Sequence, residues 1–242
     1  MHHPTVFWTT KSVLITALLL LLVVGKRANS QDEKDPHRPA CTSARCLKIK
    51  SFLKVHYCGA PQGNGPDDSC EIRPPKTPGK DVKVTADFEC NWVEGARKCE
   101  QHGQPSSGVR GILIGELRRL GLPAKAAGQI YFIEWEANSS GWSLAAADYD
   151  YLTGDDLTVC EVIAIIDQSS HVRVLRKVPF QKTNAEKNTV TTWSAIDLAD
   201  VDGDGHIAVI LEGDAYEDHW FEVESVQNGS SHTIFSGLGY YL

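Results

Sequence analysis

An α+β fold is predicted for this chain of 242 residues: an antiparallel β-meander with one main amphipathic helix, preceded by a cysteine-rich, loop-rich segment. Three observations predict it. Apolar stretches recur after residue 130 at spacings of roughly 8 to 15 residues, divided by Gly, Asp, Asn and Ser turns, which favours hairpins over parallel crossovers. A single segment, Val109 to Leu120, carries apolar residues at helical spacing. Six of the seven cysteines fall between Cys41 and Cys99.

Taken in order, the N-terminus reads as a secretory signal over residues 1–30. Lys11 supplies the positive start, Val13 to Val24 is apolar except for Thr16, and Ala28-Asn29-Ser30 offers small residues for cleavage before Gln31. The run falls short of the ~20 apolar residues a membrane-spanning helix needs. Residues 31–40 are charged and contain proline, as a disordered lead-in does. Residues 41–104 form the expected disulfide-held subdomain, with turn signals at Gly63 to Asp68 and Pro74 to Gly79. Two strand-like pieces, Asp81 to Ala86 and Asp87 to Trp92, interrupt it.

The helix follows, opening an α+β domain over 105–242. Ser106 or Ser107 can cap it, Val109, Ile112, Leu113, Leu117 and Leu120 form its stripe, and Gly121 with Pro123 stops it. Strands are expected at Ile130–Glu136, Trp142–Ala147, Thr158–Ile166, Val172–Val178, Thr191–Ile196, Ile207–Glu212, Trp220–Val226 and Thr233–Phe235.

Cysteine usage points to an oxidising compartment, secreted or periplasmic. Neighbour pairing, 41 with 46, 58 with 70 and 90 with 99, is the simplest of fifteen connectivities that six cysteines allow. Cys160, inside the apolar run Leu157 to Ile166, is expected as a buried and inert thiol. Loss of Lys11, Lys26 and Arg27 with the signal takes the formal charge from −7 to −10, which disfavours nucleic acid and anionic membranes as partners. A protein or a carbohydrate remains as the expected partner.

The sharpest chemistry lies in residues 200–207, Asp-Val-Asp-Gly-Asp-Gly-His-Ile. Carboxylates at the first, third and fifth positions and a backbone carbonyl at the seventh suit calcium, which takes six to eight oxygens at about 2.3–2.6 Å. The ligands are then Asp200, Asp202, Asp204 and the carbonyl of His206, with Gly205 at the sharp turn. The twelfth position, a bidentate Glu in an EF-hand, is Leu211, and the ninth is Ala208. Glu212, one place late, is the first candidate to complete the shell, ahead of Asp197, Asp214 or water. The loop leads into a β-branched apolar stretch rather than a helix, and in this it resembles the FG-GAP and VCBS-type calcium loops of secreted and cell-surface proteins. The resemblance covers about a dozen residues in one copy, whereas a propeller needs several blades.

The expectation is a secreted, non-enzymatic module in which calcium rigidifies a strand junction. An alternative is a secreted hydrolase using the acidic cluster Glu212, Asp214, Glu217 and Asp218 with His219 as acid or base, against the plainer reading of a solvated turn. Another is an adhesion or carbohydrate-binding module, in which aromatics such as Trp135, Trp142, Trp193 and Trp220 form an exposed face instead of core.

Overall fold

The computed structural model describes residues 41–59, 70, 82–93, 96–126, 128–137, 140–153, 156–184, 190–215, 218–227 and 230–241. The expected signal, the lead-in and both turn signals between residues 63 and 79 lie outside them.

The described chain is α+β, with two helices and ten strands among the described residues. Its elements are α1 (Ala44–Tyr57), β1 (Val82–Val93), β2 (Ala96–Gly103), α2 (Ser107–Arg119), β3 (Ile130–Ala137), β4 (Trp142–Thr153), β5 (Asp156–Asp167), β6 (Val172–Asn184), β7 (Thr192–Ala199), β8 (Ala208–Ala215), β9 (Asp218–Gln227) and β10 (Ser230–Tyr241). Every strand pairing is antiparallel. The strands form a six-stranded sheet ordered β2-β1-β3-β4-β5-β6 and a four-stranded sheet ordered β10-β9-β8-β7. The expected single meander therefore holds within β3 to β6 and within β7 to β10, and divides into two sheets between them.

Side-chain alternation along the strands builds four layers. On β4 and β5, Ala145, Ala147, Cys160 and Val162 face α2, whose Val109, Leu113 and Leu117 are buried against them. The intervening Leu144, Ala146, Ile163 and Ile165 meet Val209 and Leu211 of the second sheet. On β8, Ala208 and Ile210 face the other way, onto Ile49, Leu53 and Tyr57 of α1. The order is thus α1, four-stranded sheet, six-stranded sheet, α2. A sheet covered on both faces needs apolar residues at successive positions. β5 meets that need, being buried without interruption from Thr158 to Ile166.

The segment read as loop-rich is so only in part. Residues Ala44–Tyr57 form a helix whose N-cap Ser43 accepts from the Cys46 amide at 3.1 Å. Ile49, Leu53 and Tyr57, four residues apart, make its single buried stripe. The pairings Cys41–Cys46, Cys58–Cys70 and Cys90–Cys99 are as the sequence suggested, the last bridging register partners on β1 and β2.

α2 starts where expected, but Ser106 does not cap it with its side chain. Its amide and hydroxyl instead donate to Glu134 of β3 at 2.6 and 3.1 Å, anchoring the helix start to the sheet. At the far end the Leu122 amide donates to Leu117 and the Gly121 amide to Arg118, a Schellman arrangement with Gly121 at φ +100°. Cys160 is fully buried, and burial pushes its thiol up to about 11, which leaves it protonated and unreactive. Trp135 and Trp220 belong to the core. No described helix is long and apolar enough to cross a membrane.

Polar groups also join the two sheets. Arg176 on β6 donates to Glu222 and, at 2.7 Å, to Glu224, both on β9, while its guanidinium lies 4.8 Å from the Trp193 ring centre. Glu161 on β5 accepts from the Trp193 amide of β7 at 2.9 Å.

Candidate metal centre

The loop between β7 and β8 is built by short-range chemistry. Val201, 2% exposed, drives its second position into the core under α1, which turns the neighbouring aspartates toward one another. The Asp204 amide donates to Asp200 Oδ1 at 3.1 Å and to Asp202 Oδ1 at 3.3 Å. The Gly205 amide donates to Asp200 Oδ2 at 3.0 Å, and the His206 amide to Asp204 Oδ1 at 2.8 Å. Gly203 and Gly205 adopt φ +68° and +86°, which side-chain-bearing residues rarely do.

One carboxylate oxygen from each of Asp200, Asp202 and Asp204 lies within 4.8 Å of the other two. Two oxygens bound to one ion at about 2.3–2.6 Å are at most ~5 Å apart, so the three carboxylates are close enough to share one ion. Acidic oxygen ligands favour a hard cation.

Two basic side chains from α1 already address this loop. Arg45 Nε donates to Asp202 Oδ2 at 2.6 Å and its Nη2 reaches Asp204 Oδ2 at 3.5 Å. Lys48 Nζ donates to the Asp202 carbonyl. Burial alone would raise the Asp202 carboxyl, but the Arg45 hydrogen bond and charge, with the Asp204 amide, hold it below the usual carboxylate range. Nothing in the spacing of Arg45 and Lys48 links them to a loop more than 150 residues away, so their part is invisible in the sequence.

The other carboxylates expected to complete the shell lie outside the loop. Glu212 is on β8, opposite Phe221, and its Oε1 faces His219 Nδ1 at 3.3 Å. Asp197 is buried under α1, accepting from the Tyr57 hydroxyl at 2.8 Å and the Leu198 amide at 2.7 Å. Burial, then the charge and hydrogen bond of Asp197, push that hydroxyl well above its ordinary range. His206 presents an exposed side chain, while its amide closes the loop on Asp204.

His219 gathers the second acidic group. Its Nε2 lies 3.7 Å from Asp214 Oδ1 in addition to the Glu212 contact. The Glu212 hydrogen bond, opposed by burial and aided by the charges of Asp214, Glu212 and Asp218, raises the imidazole above its ordinary value. With Glu212 at one ring nitrogen and Asp214 near the other, the imidazole is an ion-pair partner for this acidic group. Glu217 is outside the described residues.

Compared with known proteins, the chain matches no family model, no curated protein and no solved structure.

Proposed function

We propose that this protein is a secreted or periplasmic calcium-binding module without catalytic activity, in which the ion fixes the β7–β8 junction against α1. The observation that carries the reading is the convergence of one oxygen each from Asp200, Asp202 and Asp204 within 4.8 Å, in a loop turned by two glycines. The carbonyl of His206 is the fourth protein ligand of an FG-GAP-like loop. Glu212 is engaged by His219, so water completes a shell of six to eight oxygens. Three disulfides and the apolar run Val13 to Val24 support export.

The hydrolase alternative draws less support, because Glu212 and Asp214 are both engaged by the imidazole of His219. An extracellular site with a Kd of about 10⁻⁴–10⁻³ M stabilises the fold by roughly 1.4–2.7 kcal/mol in 10 mM calcium, or about 3–10 °C in a domain of this size. The test is a thermal melt in EDTA, calcium and magnesium, with Asp202→Ala/Asp204→Ala beside the natural chain. A calcium-specific rise that the double variant lacks is expected; equal melts in EDTA and calcium would overturn the reading.

A further inference from the structure

A cleft of about 580 Å³ opens between the ends of the two sheets, on the exit side of the aspartate loop. It is bounded by Ser140 and Gly141 just before β4, by the β5–β6 turn, by Gly205 to Ile207 and by the end of β9. This volume is in the range of small-molecule sites, about 300–1,000 Å³. Its floor is apolar: Ile165 and Val226, 5% and 8% exposed, belong to the inter-sheet core, on which Trp142 and Ile207 also pack. The rim carries Arg173, His171 and His206.

Charge distinguishes this rim from the rest of an acidic chain. Its carboxylate, Asp167, is already committed to its own turn, accepting from the Ser169 amide at 2.8 Å and the His171 amide at 2.9 Å and facing His171 Nδ1 at 3.1 Å. Among the described residues, no carboxylate pairs with Arg173 or with the imidazole of His206. An Arg guanidinium recognises a planar carboxylate through parallel N–H donors. An indole beside an apolar floor accepts the flat face of a ring.

We infer that this cleft binds a ring-bearing carboxylate of monosaccharide to disaccharide size, with Arg173 on the carboxylate and Trp142 on the ring. The cleft shares Gly205 and His206 with the proposed calcium loop but is lined by none of its three aspartates, and the inference does not rest on the calcium reading. Its failure would leave a calcium-dependent melt untouched.

The experiment is an amide and indole NMR titration of the full chain in EDTA with glucuronate and with benzoate, glucose serving as the neutral control. The expected result is a shift of the Trp142 indole signal by one or both acids, and an apparent Kd raised at least ~10-fold by Arg173→Ala, the size of one lost charge-assisted hydrogen bond. Arg173 is exposed on β6, so an unchanged melting temperature will show that the variant folds. Binding of glucuronate alone identifies a sugar acid, and binding of benzoate alone an aromatic acid. Absence of any indole shift with both acids, equal binding of glucose, or an Arg173→Ala variant that binds as the natural chain does would each overturn the proposal.

Discussion

Arg45 donates to Asp202 and Asp204, two of the carboxylates a metal ion would use, so Arg45→Met should move the two states of the loop in opposite directions. In EDTA the variant loses the contacts to Asp202 and Asp204. The Arg45 side chain is 46% exposed, so solvent screens the pair and its contribution is about 0.2–1 kcal/mol in spite of the short Nε–Oδ2 distance. Once calcium binds, the same guanidinium is a cation beside a cation, and its removal is favourable. The lost ion pair then reappears as tighter binding, a fall in apparent Kd of about 1.4–5-fold by the usual conversion of free energy to affinity. Calorimetric titration with calcium, read beside melts in EDTA and at saturating calcium, measures both sides. The variant should melt lower than the natural chain in EDTA, and the gap should close or reverse with calcium. Weaker calcium binding by Arg45→Met would refute the reasoning, since Arg45 would then be supporting the site it is argued to oppose.

Two further outcomes follow from the ion pairs of the second sheet. The folded-state value of His219 is raised, so its contribution is complete below the unfolded value near 6.5 and is lost as pH rises through the folded one; the guanidinium midpoint should fall between mildly acidic and mildly alkaline pH, and Glu212→Gln should flatten that fall. Arg176→Met strands Glu224, 3% exposed, and Glu222 between the sheets and should cost about 3–5 kcal/mol in chemical denaturation, with Glu222→Gln/Glu224→Gln in the same background restoring part of it; a loss no larger than that of a surface substitution would show that the network is solvated.

Local chemistry was legible and long-range assembly was not. The strands after residue 130 appear where β-branched stretches meet turn residues, although most run further than their apolar part: β4 continues from the expected Ala147 to Thr153, and β10 spans Ser230–Tyr241 around the expected Thr233–Phe235. Backbone pairing extends such strands past the point where burial demands apolar residues. β2, with sequence Ala-Arg-Lys-Cys-Glu-Gln-His-Gly, carries no alternation at all and is held by its hairpin partner and by the Cys90–Cys99 bridge. α1 escaped notice because Leu47 and Val55, 52% and 74% exposed, blur the stripe that Ile49, Leu53 and Tyr57 define. The division into two sheets left no mark in the periodicity, since a strand alternates alike whether one layer or two lie beyond it. In the candidate site the three aspartates and the glycines are contiguous and so were readable. The diversion of Glu212 to His219 depends on strand register, and the approach of Arg45 on how α1 packs.

The placement of α1 on the four-stranded sheet has a consequence for the timing of assembly. That sheet is drawn entirely from Thr192 to Tyr241, yet the helix covering it begins at Ala44, and Arg45 meets Asp202 across 157 positions of chain. At synthesis rates of about 5–20 residues per second, that separation corresponds to roughly 8–30 s between the emergence of the helix and that of the surface it docks on. Through that interval Ile49, Leu53 and Tyr57 have no native surface to cover them. Arg45, Lys48, Lys50 and Lys54 lie on the same short segment, and like charges of this kind oppose the pairing of two such stripes.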